Sequence, residues 1–397
     1  MNPLLLKHFT ATSCIGIGAA ATLQSLLEKR SGLKSCDFET VDLDTHIGEV
    51  PGVDQTRLPE DLRQFDCRNN RLAELALRQD GFLGAVLEAA ERWGRRRVGV
   101  FLGTSTAGIL QTELAYRERD PVSGALPASF EYGPTHNSFS VADYVRRRCR
   151  LEGPAVAVSC ACASSAKAFG SARRMIEARL IDAAVVGGVD SLCLTTLYGF
   201  HSLQLSSSGP CRPFDVARDG ISIGEAAAFA LLERAPDKVD AGSVLLLGIG
   251  ESSDAYHMSA PHPEGLGARR AMQAALASAG LGAGDIDYIN LHGTATPSND
   301  RSESQAVAGL FGTATPCSST KGATGHTLGA AGALEAIISV LAVKNGLLPG
   351  GVHTDEIDPA LKIRYLKDNR RAPLKRVLSN SFGFGGSNCS LIVGSEE

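Results

Sequence analysis

The stretch Val156-Ala157-Val158-Ser159-Cys160-Ala161-Cys162-Ala163-Ser164-Ser165-Ala166 decides the fold of this chain. The apolar run at residues 155–158 has the length and β-branched content of a buried strand. It ends at small residues, and apolar side chains then recur at helical spacing over residues 167–180. The pattern predicts a strand, a tight turn and a helix, with Cys162 at or just before the helix N-terminus.

A cysteine at a helix N-terminus is placed for nucleophilic chemistry. Free backbone N–H groups and the positive end of the helix dipole favour the thiolate, which is the reactive form. The small neighbours Ala161, Ala163 and Ser164 leave room for a thioester carbonyl to approach the sulfur. A buried, inert thiol is the commoner state of a free cysteine. The stretch alone therefore leaves a catalytic role and a packing role open.

The composition narrows the class of protein. The chain has 397 residues, 44% of them hydrophobic, and a formal net charge of −4. This charge argues against a protein built mainly to bind nucleic acid. None of its 10 cysteines forms a Cys-x-x-Cys pair, which argues against zinc ribbons and thioredoxin-type sites. The apolar runs near the N-terminus are too short for a signal peptide or a membrane span, so we expect a soluble cytoplasmic protein with reduced thiols and no membrane contact.

Strand and helix patterns alternate along the chain in two series. The polar segment 237–241 lacks the apolar periodicity of a packed strand or helix and separates the two series. Alternation of this kind predicts an α/β protein, and its repetition predicts a duplicated core. We therefore expect an N-terminal half over residues 1–240, which carries Cys162, and a C-terminal half over residues 241–397.

Three further motifs carry chemistry in the second half. The first is Asn290-Leu291-His292-Gly293-Thr294-Ala295-Thr296-Pro297, the second is the glycine-rich segment 319–332 with Lys321 and His326, and the third is Phe382-Gly383-Phe384-Gly385-Gly386. Each alone has a structural interpretation: a core histidine, a surface lysine or a plain turn. Their number and order favour a functional one.

Taken together, the four motifs resemble the β-ketoacyl-acyl-carrier-protein synthases, specifically the Cys-His-His branch. The resemblance extends over nearly the whole chain, and the segments 212–215 and 253–258 support it. It implies a thiolase-like fold with duplicated halves in a layered αβαβα arrangement. It also implies a decarboxylative Claisen condensation of malonyl-carrier protein with an acyl group on Cys162, in fatty-acid or polyketide/aryl-polyene-type biosynthesis.

The resemblance assigns the catalytic roles. Cys162 would accept the acyl chain from the phosphopantetheine arm of the carrier. His292 and His326 would stabilise the enolate that forms when CO2 leaves, because two imidazole N–H donors stabilise the negative oxygen without quenching the carbanion. Lys321 would pair with Glu335 and orient the histidines. No metal and no tightly bound organic cofactor is implied.

The resemblance also assigns binding roles. The backbone N–H groups of Cys162 and Phe384 would hold the oxyanion, and Phe382 and Phe384 would form a gating turn. Thr294 and Thr296 would hydrogen-bond the pantetheine arm. Thr106 falls in the loop that bounds the acyl tunnel in the family, where a polar branched residue would alter the pocket. Asp300 and Glu303 are expected to be structural.

The partners implied are acyl- and malonyl-loaded carrier protein and a second subunit. A homodimer with the active site near its two-fold axis is expected, or a heterodimer with a chain-length-factor-like subunit. Two alternatives stay open. A non-catalytic chain-length or scaffold partner typically lacks the nucleophile, which this chain retains. A thiolase using coenzyme A would need a second catalytic cysteine, for which Cys389 is the only candidate.

Overall fold

The computed structural model describes residues 1–395. The strands are β1 (Leu4–Ser13), β2 (Gly16–Ile17), β3 (Lys34–Ser35), β4 (His46–Gly48), β5 (Val98–Gly103), β6 (Ala155–Val158), β7 (Ala183–Asp190), β8 (Ile223–Gly224), β9 (Ala226–Arg234), β10 (Leu245–Ser253), β11 (Tyr288–Asn290), β12 (Pro316–Ser318), β13 (Leu347–Leu348), β14 (Arg364–Tyr365), β15 (Arg370–Arg371), β16 (Arg376–Gly383) and β17 (Ser387–Gly394). The helices are α1 (Ala19–Leu27), α2 (Arg68–Leu77), α3 (Phe82–Trp93), α4 (Ile109–Arg117), α5 (Ser140–Arg148), α6 (Ser164–Glu177), α7 (Leu194–Ser202), α8 (Leu266–Ala279), α9 (Pro297–Phe311), α10 (Lys321–Thr324) and α11 (Ala331–Asn345).

The main sheet repeats one topology twice. Strands of the first half lie in the order β6-β5-β7-β9-β1, and strands of the second half in the order β12-β11-β16-β17-β10. In both sets the first three strands are parallel and the last two join antiparallel. Each set places the strands of its half in the same succession: third, second, fourth, fifth, first. This repetition confirms the predicted duplicated core. The sets meet where β1 pairs with β10, and the loop between β9 and β10 contains the predicted boundary near residue 240.

The two faces of each strand set pack against different helices, which produces five layers. On β7, Ala184 and Val186 belong to the core that contains α6 and α11, whereas Ala183 and Val185 face the core built on α2, α3 and α5. In the second half, α8 and α9 cover the outer face. Helices α6 and α11 contact strands of both sets and form the central layer. The predicted αβαβα arrangement is confirmed.

The central helix α11 is apolar on every side, which is typical of a helix enclosed by protein. Together with the 3₁₀ turn before it, the stretch Leu328–Asn345 is long and apolar enough to cross a membrane by length and composition. In this structure 83% of that stretch is buried, and it lies between the two strand sets. A core helix of a soluble protein has these properties.

The sequence carries one continuous helical pattern over residues 69–93, which predicts a single helix, and the structure divides it. The helical pattern over residues 69–93 forms two helices, α2 and α3, because Asp80 and Gly81 between them have positive φ angles of 52° and 70°. The Asp80 carboxylate accepts hydrogen bonds from the Ala19 backbone N–H at 2.8 Å and from the Thr10 hydroxyl at 2.7 Å. Asp80 thus satisfies the first turn of α1, a tertiary contact that periodicity does not reveal.

Candidate active site

A strained turn delivers Cys162 to the start of α6. Ala161 has a φ of 55°, a left-handed conformation that costs energy for a residue with a Cβ. The Ser164 hydroxyl donates to the Ala161 carbonyl at 2.5 Å and accepts from the Cys160 backbone N–H at 2.9 Å. These bonds hold the turn, and Cys162 is 5% exposed. The predicted strand–turn–helix arrangement is confirmed, although α6 begins at Ser164, earlier than the helical periodicity indicated.

Two loops of the second half bring the histidines to the same point. His292 follows β11, and its backbone N–H donates to the buried Glu303 carboxylate at 2.8 Å, as does that of Gly293. The backbone of His326 pairs with the segment before β9: its N–H donates to the Ser222 carbonyl at 2.7 Å. Glu303 therefore has the structural role that the sequence predicts.

The structure brings the three predicted catalytic side chains together. The Cys162 Sγ lies 3.0 Å from Nε2 of His326. The two imidazole rings stand edge to face, with centroids 5.2 Å apart and an interplanar angle of 83°. The sulfur and one nitrogen of each ring all lie within 4.8 Å of one another. A reacting group of a few atoms can therefore contact all three side chains at once.

Lys321 and Glu335 lie behind the histidines as a buried ion pair, with side-chain exposures of 1% and 3%. The Lys321 ammonium donates to the His292 carbonyl at 2.5 Å and lies 3.5 Å from His292 Nδ1. Because an ammonium only donates, Nδ1 must accept, and the ring proton is assigned to Nε2. This tautomer presents an N–H donor to the reacting group.

Burial and the Lys321 charge also set the protonation of the site. Desolvation, and then the nearby ammonium, hold the pKa values of His292 and His326 well below the usual histidine range. Both rings are therefore neutral near pH 7. Burial raises the pKa of Glu335 to about 7, while Lys321 acts in the opposite direction.

The backbone N–H groups at the helix terminus favour the thiolate, as the sequence predicts, but burial outweighs them. Burial raises the pKa of the Cys162 thiol to about 12, and the Lys321 charge and the Phe384 backbone N–H only partly oppose it. Desolvation of a fully enclosed thiolate outweighs these contributions. The resting site therefore contains a thiol beside the His326 imidazole, and the sulfur becomes a nucleophile when the proton leaves.

A cleft of about 590 Å³, including its open mouth, leads to Cys162. Phe200, Leu205 and Ile221 form an apolar wall. The remaining lining residues are Cys162, Asp254, Ser259, Ala260, Pro261, His292, Thr294, Thr296, Ser298, Asn299, His326, Phe382, Gly383, Phe384, Gly386 and Asn388. The structure thus brings the predicted binding residues Thr294, Thr296, Phe382 and Phe384 to the cleft. Their roles toward a substrate stay predictions.

Thr106 is not brought to this cleft. Its hydroxyl donates to the buried Asp190 carboxylate at 2.8 Å and accepts from the Ser191 backbone N–H at 3.1 Å. Phe200 has no sequence motif that marks it as a cleft residue, although its ring lies 5.5 Å from that of Phe384 between centroids. Ser298 and Asn299 are likewise unpredicted cleft residues, although they directly follow the His292 motif.

A thiol and two imidazoles are a donor set that suits zinc. Binding of a dication would however require the Cys162 thiol to lose its proton, and the Lys321 ammonium lies next to His292. Both effects weaken metal binding. The absence of a metal from the reaction stays a prediction.

Comparison with known proteins identifies the family. Residues 9–238 match the β-ketoacyl synthase N-terminal domain, and residues 244–355 match its C-terminal domain. The chain belongs to the β-ketoacyl synthases. The predicted family, its thiolase-like fold and the assignment as an acyl-transferring condensing enzyme are thereby confirmed.

Named relatives of this synthase are condensing enzymes. The chain is 38% identical to 3-oxoacyl-[acyl-carrier-protein] synthase 2 of Rhizobium meliloti over 311 aligned residues. This aligned region covers 74% of this chain and 73% of the relative. It is 30% identical to the enzyme of the same name from Staphylococcus aureus, over 96% of this chain and 98% of the relative.

Two solved structures of similar proteins are ketosynthases with chain length factors. One is the ketosynthase ApeO in complex with its chain length factor ApeC from Xenorhabdus doucetiae, with a TM-score of 0.90 and 38% identity over 99% of this chain and 98% of that one. The other is the ishigamide ketosynthase/chain length factor, with a TM-score of 0.89 and 27% identity over the full length of both chains.

Proposed function

We propose that this synthase condenses malonyl-carrier protein with an acyl group held as a thioester on Cys162. One observation carries the proposal: Cys162, His292 and His326 lie within 4.8 Å of one another at the end of a single cleft. The names of the Rhizobium and Staphylococcus relatives support the carrier-bound substrates. The substrates bring the pantetheine arm, and the chain's own side chains supply the rest of the chemistry.

The first step transfers the acyl chain to the enzyme. The Cys162 sulfur attacks the thioester carbonyl while its proton passes to His326 Nε2, 3.0 Å away. The bond from the carbonyl to the pantetheine sulfur then breaks, and His326 returns the proton to that leaving thiolate. The neutral state of His326 suits it to accept the proton and then give it back.

The second step breaks the bond between the malonyl methylene and its carboxylate. CO2 leaves, and the electron pair passes into the thioester carbonyl to form an enolate. His292 Nε2–H, held in that tautomer by Lys321, is placed to donate a hydrogen bond to the enolate oxygen. His326 donates a second one with its proton on Nε2, a tautomer open to it because its buried Nδ1 has no hydrogen-bond partner among the described residues. Neutral donors stabilise this charge without protonating the carbon, because the histidine pKa values are lowered.

The third step forms the new carbon–carbon bond. The enolate carbon attacks the Cys162 acyl carbonyl, whose oxygen becomes negative. The Phe384 backbone N–H and that of Cys162 both face the sulfur and lower its pKa, and so lie where they can donate to this oxyanion. The tetrahedral intermediate collapses, the bond to Cys162 breaks, and the thiolate takes up one proton from solvent, which restores the resting thiol.

We further propose that the chain works in the cytoplasm as one subunit of a dimer. The edge strand β6 ends the main sheet, and its Val156 side chain is 36% exposed. An unpaired apolar sheet edge next to the nucleophile turn favours cover by a second subunit. The family resemblance implies a homodimer, whereas the ketosynthase/chain length factor structures favour a heterodimer.

The second candidate function is that of a chain-length or scaffold subunit with little activity alone. The two structures that contain chain length factors favour it. Cys162, His292 and His326 favour the catalytic role, because a subunit that only shapes a tunnel has no need of them. In a heterodimer this chain would be the active subunit, extending chains for fatty-acid or polyketide/aryl-polyene-type products.

Intact-mass spectrometry tests the proposal. The purified chain is incubated with carrier thioesters of several chain lengths, alongside Cys162→Ala and Cys160→Ala. We expect acyl adducts on the wild type and on Cys160→Ala, because Cys160 is a half-buried neighbour outside the cleft lining, and none on Cys162→Ala. A folded wild type that takes no acyl group from any carrier would contradict catalysis by the isolated chain and favour the subunit role.

A further inference from the structure

A buried carboxylate outside the catalytic trio connects the loops that carry it. Asp190 is the last residue of β7, and its side chain is fully buried. Its Oδ1 accepts hydrogen bonds from the Thr104 hydroxyl, the Ser105 backbone N–H, and both the backbone N–H and the hydroxyl of Thr106, at 2.7–2.8 Å. Its Oδ2 accepts from the Gly329 backbone N–H at 2.5 Å.

These five donors are all neutral groups. A buried carboxylate is costly unless hydrogen bonds compensate it, so each donor matters to the position of the side chain. The donors come from two loops far apart in sequence, one after β5 in the first half and one before α11 in the second. Asp190 therefore fixes the distance between the two loops.

Both loops contact the catalytic residues. The Ser105 hydroxyl donates to the Ala161 carbonyl at 3.4 Å, and Ala161 is the strained residue before Cys162. Gly329 lies three residues after His326. A Cβ on Gly329 would stand 2.7 Å from Asp190 Oδ2 and 2.6 Å from Ser105 Oγ, so this junction has no room for a side chain.

We infer that Asp190 is a positioning residue that sets His326 against Cys162, and that Thr106 acts through Asp190 rather than by lining the acyl pocket. The inference rests on the proposed function. Thr106 uses its hydroxyl hydrogen on Asp190 and its oxygen on the Ser191 backbone N–H. The 3.0 Å contact between Cys162 and His326 joins the two halves of the chain, and Asp190 bridges the same halves beside it.

Asp190→Asn tests the inference, with Asp215→Asn as the matched control. An asparagine keeps the shape, but its NH2 must face at least one backbone N–H or hydroxyl donor. Asp215 is also a buried carboxylate that joins two loops, accepting from the backbone N–H groups of Asp355 and Glu356 at 2.7 and 2.9 Å, and it is absent from the cleft lining. Condensation kinetics and thermal unfolding are measured for both variants.

We expect kcat for condensation to fall about 100-fold in Asp190→Asn, because small misplacement of reacting groups has effects of that size. The KM for the malonyl donor should change less than about 3-fold, since Asp190 shares no hydrogen bond with the cleft residues Thr294 and Thr296. In Asp215→Asn kcat should stay within about 3-fold. Activity losses that follow the loss of thermal stability equally in both variants, or an unchanged kcat in Asp190→Asn, would overturn the inference.

Two conservative substitutions of Thr106 separate the effect of its hydroxyl group from the effect of its volume. They test whether Thr106 acts through Asp190 even if Asp190→Asn does not fold. Thr106→Ser keeps the donor to Asp190, so kcat should stay within about 3-fold. Thr106→Val keeps the volume and loses the donor, so kcat should fall about 10-fold. The inference would be overturned if Thr106→Val kept the wild-type kcat and Thr106→Ser changed the preferred acyl chain length. A wild type that acylates no cysteine would instead contradict the proposed function.

Discussion

The buried pair of Lys321 and Glu335 predicts a loss of stability that depends on pH. The substitution Lys321→Met leaves the Glu335 carboxylate enclosed without its counter-ion. Removing one partner of a buried pair costs about 3–5 kcal/mol, because the remaining charge is uncompensated. Glu335 can escape this cost by taking up a proton, and its pKa, already raised to about 7, must rise further once the ammonium is gone.

The sign of the pH dependence follows from that raised pKa. A carboxyl whose folded pKa exceeds its unfolded value stabilises the fold fully at low pH, and this stability is lost as pH rises through the folded pKa. Lys321→Met should therefore lose about 3–5 kcal/mol of unfolding free energy at pH 8.5 and less than about 2 kcal/mol at pH 6. Urea unfolding at the two pH values, compared with the wild type, measures the difference.

The double variant Lys321→Met/Glu335→Gln separates stability from catalysis. It removes both charges, so most of the stability at pH 8.5 should return. Condensation should stay about 100-fold below the wild type, because His292 Nδ1 has lost the donor that fixes its tautomer and one enolate hydrogen bond is weakened. A destabilisation by Lys321→Met that is equal at both pH values, or a double variant with restored condensation, would refute this reasoning.

Two further predictions concern stability and positioning. Burial raises the pKa of Glu303 to about 7, so the stability of the wild type should fall between pH 5 and 8 as this carboxyl loses its proton. Glu303→Gln should flatten that fall and, by loosening the His292 loop, lower kcat about 10-fold. Urea unfolding across this pH range and steady-state kinetics test the prediction, and an unchanged dependence of stability on pH would contradict it. A Cβ on Gly103 would lie 2.2 Å from the Ser165 backbone nitrogen, whereas Gly84 has open space. Gly103→Ala should therefore cost about 1–3 kcal/mol by overpacking, and Gly84→Ala should be neutral or stabilising by up to about 1 kcal/mol; thermal unfolding of the pair decides, and equal effects contradict it.

Local patterns predicted much of the fold. The turn at Cys162 could be inferred because small residues and the change from strand to helical periodicity are local signals. The duplicated core followed from the alternation of strands and helices. The break at Asp80 could not, because the carboxylate there bonds to Thr10 and to the first turn of α1, which are distant in sequence. Periodicity does not report such contacts.

The residues of the site likewise fall into those that a local sequence motif marks and those that only tertiary contacts reveal. His292 and His326 stand in distinctive motifs, and the family resemblance gave them roles that the geometry supports. Asp190 and Phe200 have no such motif, and their importance comes from three-dimensional contacts. The protonation state of Cys162 could not be predicted either: a helix N-terminus is visible in the sequence, whereas the burial that raises the thiol pKa requires the packed structure.

One single-turnover experiment tests the division of labour between the cysteine and the histidines. The wild type and His292→Ala are loaded with an acyl group on Cys162, malonyl-carrier protein is added, and released CO2 and remaining acyl-enzyme are counted. The wild type should release one CO2 for each acyl group lost from Cys162. His292→Ala should acylate normally, because His326 contacts the sulfur, and release CO2 about 10²–10³-fold more slowly. CO2 release at the wild-type rate, or failure of His292→Ala to acylate, would contradict the account.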